Sequence, residues 1–192
     1  LERTATALGD GLHEVIVVDD QSPDGTAALV EELQNPKYRV IQRLEERGLA
    51  SALARGIHAA SGDAVVWLDC DLGIPPEDIP RLVERLSEFD VVIGSRYAAG
   101  GKDTRTPLRG LASVWICAFA NAVLGLGVKD ATSGFAAVRT SVFQRIQMPT
   151  QGFGEYFVEF LFRCRQEQFS ITEVGYVFRN RKGGVSKLDS DY

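Results

Sequence analysis

The sequence is poor in the side chains that most often transfer protons or bind soft metals. It contains two histidines and three cysteines in 192 residues. His13 lies on the approach to a strand pattern and His58 in the middle of a helical one, which gives no sign of a catalytic histidine. The cysteines are odd in number and lack the spacing of metal ligands. We therefore expect reduced, intracellular thiols rather than disulfides.

The charge balance and the lack of biased sequence exclude further classes of protein. The formal net charge of −5 argues against general affinity for nucleic acid. We find no signal peptide, internal repeat or low-complexity linker, and 192 residues are enough for one domain with a core. The sequence thus predicts a single cytoplasmic domain over residues 1–192.

One segment leaves the relation to membranes open. Residues 111–128 carry no charge over 18 positions, which is borderline for a membrane span. Its serine, asparagine and glycines weaken that interpretation, whereas Arg109 before it and Lys129 after it suit a helix lying at a membrane interface. Three alternatives stay open: a buried core helix, an interfacial helix and a true span.

Strand and helix patterns alternate along the chain. This alternation predicts an α/β fold with a mostly parallel sheet, right-handed crossovers and helices on both faces. The predicted strands are 14–20, 38–44, 63–71, 90–96, 134–139 and 171–178. The predicted helices are 26–33, 49–60, 79–89 and 155–167. Open α/β sheets bind ligands at the carboxyl ends of their strands, where this chain carries Asp19, Asp20, Asp69, Asp71 and Arg96.

The pair Asp69 and Asp71 is the strongest functional signal. Side chains alternate along a strand, so within 63–71 these two carboxylates are expected on one face. Like charges this close repel unless a cation lies between them, and carboxylate oxygens suit Mg²⁺ or Mn²⁺. The pair therefore predicts a site for a metal ion and a nucleotide sugar, with two solvated loop aspartates as the alternative.

Six segments agree in order and spacing with one family: EVIVVDDQSPDGT, RGLASALARGIHAASGD, VVWLDCDLGIPPEDIPRLV, DVVIGSRY, DATSGFAAVR and RKGGVSKL. Together they resemble the family 2 glycosyltransferases of GT-A (Rossmann-like) fold, and more narrowly the dolichyl-phosphate mannose synthases and bacterial polyprenyl-phosphate glycosyltransferases, over about residues 12–188. The resemblance implies inverting transfer of a sugar, mannose or glucose, from a GDP- or UDP-sugar to a polyprenyl or dolichyl phosphate. It also implies Mg²⁺ or Mn²⁺ as cofactor. The implied place of action is the cytoplasmic face of a membrane, with the protein peripheral or anchored.

The resemblance also assigns roles to individual residues. In the nucleotide-binding half, about 1–97, Asp19 and Asp20 would recognise the base, and Asp69 and Asp71 the ribose and the metal. In the acceptor half, about 98–192, the residues expected at the diphosphate are Arg181, Ser186 and Lys187. The residues expected at the acceptor phosphate are Arg96, Arg109 and Ser113. These three, with Asp71, are the predicted catalytic residues.

The chain departs from the family pattern at three places. Gly73 and Ile74 stand where many relatives have glutamine and histidine, which removes a side-chain metal contact. Either water fills that position or the metal binds more weakly, so Gly73→Gln is expected to tighten metal binding. The family's opening strand, with its Pro-x-Tyr-Asn-Glu segment, is absent from this sequence, and the loop 100–107 lacks the tryptophan often found there.

The chemistry of the acceptor distinguishes two possible transfer reactions, one to a lipid phosphate and one to a hydroxyl group. A lipid phosphate is already an oxyanion, because its second pKa is about 6, so its attack needs no base. A hydroxyl acceptor would need one, and Asp130, Glu155 and Glu159 are the candidates. The third alternative is a non-catalytic module that binds nucleotide sugars.

Overall fold

Helices and parallel strands alternate in the first half of the protein. The computed structural model describes residues 1–152 and 154–179, and it describes only the backbone of Pro107 and Arg109. The helices of the first half are α1 (Glu2–Leu8), α2 (Thr26–Glu32), α3 (Leu49–Ala59) and α4 (Ile79–Arg85). The strands are β1 (Val15–Asp19), β2 (Tyr38–Gln42), β3 (Ala64–Trp67) and β4 (Val91–Ser95). Short 3₁₀ turns occupy Gly9–Gly11 and Pro76–Asp78.

The second half contains two longer helices and shorter strands. The helices are α5 (Pro107–Leu124) and α6 (Glu155–Gln166). The strands are β5 (Lys102–Asp103), β6 (Ala136–Arg139), β7 (Ile171–Gly175) and β8 (Val177–Phe178). A 3₁₀ turn at Thr140–Gln144 follows β6.

The strands form three sheets. β1 pairs with β2, β5 pairs with β8, and the largest sheet has the order β3-β6-β4-β7. The pairs β1–β2, β4–β7 and β5–β8 are parallel, whereas β6 is antiparallel to both of its neighbours. The prediction of a mostly parallel α/β fold is therefore confirmed. The antiparallel β6 was not foreseen, because a short apolar run does not reveal its direction.

The core lies on both faces of the four-stranded sheet. β4 is buried along its whole length, and its successive side chains point to opposite faces. On one face Val91 and Ile93 join a cluster in which Trp67 contacts Phe160 edge-on, with ring centroids 5.7 Å apart. On the other face Val92 packs in the cluster that contains Leu82 of α4. Helices therefore cover both faces, as the sequence predicts.

Three predicted boundaries are wrong in ways that affect the site. β3 ends at Trp67, so Asp69 and Asp71 lie in the following turn and not on one strand face. The predicted strand 171–178 is divided into β7 and β8. The uncharged stretch 111–128 is not a single helix, because α5 ends at Leu124. Gly125 there has a φ of 62°, the left-handed conformation that commonly ends helices.

Helix α5 buries only a narrow stripe of side chains. Ser113, Cys117 and Ala120 face the core, whereas Trp115 is 69% exposed and Phe119 72%. This geometry contradicts the alternative of a helix buried on all sides. Within the described residues, none of the helices combines the length and the apolar character that a membrane span requires.

Candidate active site

Asp69 and Asp71 lie in the loop that joins β3 to the Pro76–Asp78 turn, which we call the carboxylate loop (residues 68–75). Asp69 is exposed and Asp71 is half-buried. One oxygen of Asp71 accepts the backbone N–H of Gly73 at 2.9 Å, which fixes the carboxylate within its own loop. Burial raises the pKa of the Tyr156 hydroxyl, and the charge of Asp69 adds to the shift.

The donor set of this loop suits a magnesium-like ion that arrives with a nucleotide. Among residues 1–152 and 154–179, His, Cys, Asp and Glu form no group of three or more that could hold a metal. If Asp69 and Asp71 hold the ion, as the sequence predicts, water and diphosphate oxygens would have to supply the remaining ligands. Mg²⁺ commonly binds in this way, through one or two carboxylates and substrate phosphates.

Gly73 is packed too closely to carry a side chain without movement of its neighbours. A Cβ atom at this position would lie 3.0 Å from Oδ1 of Asp71 and 3.1 Å from Cζ of Phe178. The backbone carbonyl of Gly73 also accepts the N–H of Arg179 at 2.9 Å. The space next to Gly73 is thus filled by an aromatic ring.

Asp20 forms a two-pronged ion pair with Arg43. Nε and Nη2 of Arg43 each donate to one oxygen of Asp20 at 2.6 Å, and the N–H of Gly48 donates to the carboxylate at 3.0 Å. Arg43 is buried and also donates to Oγ of Ser51 at 2.7 Å. Asp20 therefore joins the end of β1 to the start of α3. A nucleotide base that contacts Asp20 would have to bind beside this ion pair with Arg43.

Asp19 points into the turn after β1. Its carboxylate is buried and accepts the backbone N–H of Ser22 at 3.1 and 3.3 Å. The structure thus places both acids of the predicted base site at the carboxyl end of β1, where the sequence analysis expected them.

Arg96 forms a buried ion pair at the end of β4. Its Nε and Nη2 donate to the two oxygens of Asp130 at 2.8 and 2.6 Å, and its backbone N–H donates to the same carboxylate at 2.8 Å. Burial alone would lower the pKa of Arg96, but the hydrogen bonds and the charge of Asp130 outweigh it and raise that pKa. Arg96 is therefore a permanently charged group in a fixed orientation.

Ser113 of α5 joins the Arg96 cluster. Nη2 of Arg96 lies 2.9 Å from Oγ1 of Thr132 and 3.4 Å from Oγ of Ser113. The two hydroxyl oxygens are 2.9 Å apart. The structure thus brings together two of the three residues predicted at the acceptor phosphate, Arg96 and Ser113. The third, Arg109, lies one helical turn before Ser113 in α5, and its side chain is outside the described part.

The residues predicted to contact the diphosphate, Arg181, Ser186 and Lys187, lie outside the described residues. The candidate bases for a hydroxyl acceptor do fall within them. Asp130 is fully buried and holds Arg96 through both oxygens. Glu159 pairs with Arg163 at 2.5 Å, and Glu155 accepts the N–H of Gly154 at 3.0 Å. Because Asp130 is buried in an ion pair with Arg96, it is poorly placed to contact an acceptor hydroxyl.

The segment between β4 and α5, which we call the glycine-rich loop (residues 97–106), is folded back on β7 and β8. A Cβ atom on Gly175 would lie 2.2 Å from the carbonyl oxygen of Ala99, so the two backbones touch. Within the loop Arg105 pairs with Asp103 at 2.6 Å. Burial alone would raise the pKa of Asp103, but the hydrogen bonds and the charge of Arg105 lower it to about 2.

Sequence reasoning missed three residues of this site. Arg43 follows a strand pattern and resembles any polar strand end, and Thr132 lies in the quoted DATSGF segment without a role. Phe178 closes a strand pattern as an ordinary apolar residue. The local signal for Arg43 is its charge near the end of the predicted strand 38–44, two positions after apolar Ile41.

Comparison with known proteins shows the family to which this chain belongs. The Glycosyl transferase family 2 model matches residues 1–147. The chain belongs to glycosyl transferase family 2. The family 2 glycosyltransferase resemblance inferred from the motifs is confirmed.

Curated relatives narrow the resemblance within the family. The chain is 40% identical to a dolichol-phosphate mannosyltransferase of Pyrococcus furiosus, over 97% of this chain and 53% of that protein. It is 33% identical to a polyprenol monophosphomannose synthase of Mycolicibacterium smegmatis, over 91% of this chain and 69% of that protein. It is also 33% identical to an undecaprenyl-phosphate mannosyltransferase of Micrococcus luteus, over 98% of this chain and 82% of that protein. The chain thus spans about half the length of the Pyrococcus relative.

Solved structures confirm the fold. Glucosyl-3-phosphoglycerate synthase from Mycobacterium tuberculosis, in complex with Mn²⁺, UDP and phosphoglyceric acid, superposes with a TM-score of 0.73 at 23% identity. The match covers 97% of this chain and 65% of that one. At this identity the likeness shows the fold alone, and the fold is the predicted GT-A fold.

Proposed function

We propose that this domain transfers a hexose, most simply mannose, from a GDP- or UDP-sugar to a polyprenyl phosphate, with inversion at the anomeric carbon. The observation that carries the proposal is the position of Arg96 and Ser113. These two side chains, predicted to hold the acceptor phosphate, meet at the buried stripe of α5, and the rest of that helix presents exposed apolar side chains. A phosphate site joined to an apolar surface fits an acceptor with a charged head and a lipid chain. The names of the three curated relatives agree with such an acceptor.

The residues present can perform the two tasks that this reaction requires. Arg96, locked by Asp130, and Ser113 would hold the acceptor phosphate in line with the leaving diphosphate, and such positioning contributes much of the rate enhancement of an enzyme. Asp69 and Asp71 would hold a divalent metal, which when bound supplies positive charge to the diphosphate. No base is required because the attacking oxygen is already ionised.

We further propose that α5 brings the domain to the membrane that contains the lipid. Its exposed apolar side chains are Leu108, Leu111, Val114, Trp115, Ile116, Phe119 and Val123. Lys102 and Lys129 are exposed near its two ends and would favour anionic lipid, whereas Arg105 is paired with Asp103. Binding of this kind is peripheral and sensitive to salt, on the cytoplasmic face of the membrane.

A product assay tests the proposal. The protein is incubated with Mn²⁺, GDP-mannose or UDP-glucose, and a polyprenyl phosphate in vesicles, and the lipid fraction is analysed for a sugar phosphate diester. The expected result is a lipid-linked sugar of inverted anomeric configuration. Transfer to free sugar hydroxyls instead would favour the alternative acceptor class. Nucleotide binding without any transfer would favour the non-catalytic module.

A further inference from the structure

Strand β8 lies between the carboxylate loop, which carries the proposed metal ligands, and the glycine-rich loop, which leads into α5. It pairs with β5 of the glycine-rich loop in the register Lys102 to Val177 and Asp103 to Phe178. At its end, the N–H of Arg179 donates to the carbonyl oxygen of Gly73 in the carboxylate loop at 2.9 Å. One short strand is therefore hydrogen-bonded to both loops.

The side chain of Phe178 also lies against both loops. Its ring atoms lie 3.1 and 3.2 Å from the position that a Cβ atom on Gly73 would take. On the side of the glycine-rich loop, the guanidinium of Arg105 lies 5.6 Å from the ring centroid, and Oγ1 of Thr104 donates to the Phe178 carbonyl at 2.6 Å. The ring thus fills the space between the two loops.

The glycine-rich loop is also packed closely against the end of β4 and against the end of β7. A Cβ atom on Gly101 would lie 2.5 Å from the carbonyl oxygen of Ser95, and one on Gly175 would lie 2.2 Å from that of Ala99. The pairing of β8 with β5 therefore passes a displacement of β8 to residues 102 and 103, and the close contacts leave the rest of the loop little room to absorb it. Close-packed contacts of this kind transmit displacement rather than absorb it.

We infer that Phe178 is a positioning residue that couples binding of the metal–nucleotide at the carboxylate loop to the position of the glycine-rich loop. The inference rests on the proposed function, which places the metal at Asp69 and Asp71. A ligand that draws these carboxylates together moves Gly73, against which the ring rests, and thereby biases the loop that leads into α5. Coupling between two sites is reciprocal, so the acceptor also strengthens nucleotide binding.

Hydrogen–deuterium exchange with Mn²⁺ and GDP, or Mn²⁺ and UDP, as probes tests the coupling in the complete chain. In the parent protein, the nucleotide is expected to slow exchange in residues 68–75 and also in residues 97–106. In Phe178→Ala it should slow exchange only in 68–75. If Phe178→Ala melts at a much lower temperature than the parent protein, the same measurement is made on Phe178→Leu, which keeps apolar volume. The ratio of nucleotide affinities with and without polyprenyl phosphate should fall by about fivefold or more in the variant.

Phe169 provides a matched control. It is also half-buried, with the guanidinium of Arg145 4.8 Å from its ring centroid, but it lies before β7 and away from both loops. Phe169→Ala should behave like the parent protein. If the parent binds the nucleotide but residues 97–106 do not respond, or if they still respond in both Phe178 variants, the coupling role is overturned. If calorimetry shows no nucleotide binding by the parent, the proposed function itself fails, and the inference fails with it.

Discussion

At the scale of single residues, Asp71 forms a hydrogen bond within the carboxylate loop and is also a proposed metal ligand. Its oxygen accepts the N–H of Gly73, and an asparagine would keep that acceptor while losing the negative charge. The effect of Asp71→Asn should therefore report on metal binding rather than on the loop.

We expect Asp71→Asn to reduce sugar transfer by about 10²-fold or more, because a bound metal contributes several kcal/mol of charge stabilisation. Mn²⁺-dependent nucleotide binding, measured by calorimetry, should be lost as well. Asp63→Asn is the control, since Asp63 is exposed at the opposite end of β3. Near-native activity of Asp71→Asn would show that the metal site is assigned to the wrong residue.

The close neighbours of Gly73 change the effect that we expect from a substitution at this position. The sequence comparison predicts that Gly73→Gln restores a metal ligand, whereas the structure shows Phe178 and Asp71 about 3 Å from the first side-chain atom. We now expect Gly73→Gln alone to lower stability by about 1–3 kcal/mol, as overpacking usually does.

The double variant Gly73→Gln/Phe178→Ala should relieve the overlap and bind Mn²⁺ with nucleotide more tightly than Phe178→Ala does. Denaturant unfolding measures the stability, and calorimetry the affinity. Tighter metal binding by Gly73→Gln alone, at unchanged stability, would contradict the packing argument.

The ion pair of Asp103 with Arg105 should make the stability of the folded protein depend on pH in the acidic range. The pKa of Asp103 is lowered to about 2 by Arg105, below the value of about 3.9 for an unfolded chain. A depressed carboxyl pKa stabilises the folded state above the unfolded pKa, and this contribution is lost as the pH falls through the folded pKa. The contribution should be complete above about pH 4 and should disappear between about pH 4 and about pH 2.

The measurement is urea unfolding of the parent protein and of Asp103→Asn between pH 2 and pH 6. The difference in free energy of unfolding between the two proteins should shrink as the pH decreases through that window. A difference that is independent of pH would show that the pair contributes no charge interaction.

At the scale of secondary structure, α5 carries the proposed phosphate site on one side and exposed apolar side chains on the other. Proline at its first turn starts the helix and Gly125 ends it. Its backbone places Arg109 one turn before Ser113, which lies next to Arg96. The helix therefore carries Arg109 towards the position predicted for the acceptor phosphate.

Arg109→Ala should weaken the use of polyprenyl phosphate while leaving nucleotide affinity nearly unchanged. A charge-assisted contact is worth about 1.5–3 kcal/mol, so the loss in kcat/KM for the acceptor should exceed about tenfold. Lys129→Ala, a basic residue beyond the other end of the helix, is the control. An equal loss for donor and acceptor would move Arg109 to the diphosphate.

At the scale of the whole molecule, the exposed side of α5 is the surface that we propose meets the lipid acceptor. Trp115 and Phe119 are 69% and 72% exposed and one helical turn apart, so acidic substitutions there should not disturb the core. We expect the parent protein to bind anionic vesicles with an affinity that falls as salt increases. Trp115→Asp/Phe119→Asp should reduce this binding by at least about tenfold.

Leu29→Asp is the control for this experiment, because Leu29 is 60% exposed on α2 rather than α5. Vesicle sedimentation measures binding, and thermal unfolding confirms that the variants are folded. Loss of the fold in the α5 variant, together with no vesicle binding by the parent, would show that this surface is covered by protein rather than lipid.

The sequence alone determined the elements and the class of the protein. The apolar runs and helical patterns located β1, β2, β4 and most helices within a few residues, because periodicity records which positions of one element are buried. The acidic residues after the strand patterns predict the place of the site, and the order of motifs identified the family.

Only the tertiary structure decided which groups meet. The antiparallel β6, the pairing of Arg96 with Asp130 and the contact of Phe178 with Gly73 join segments far apart in the chain. The exposure of α5 and the position of Asp69 and Asp71 beyond the end of β3 likewise depend on what packs beside them. Local patterns predict burial but not the identity of the partner, because each such contact is fixed by two segments that fold against each other.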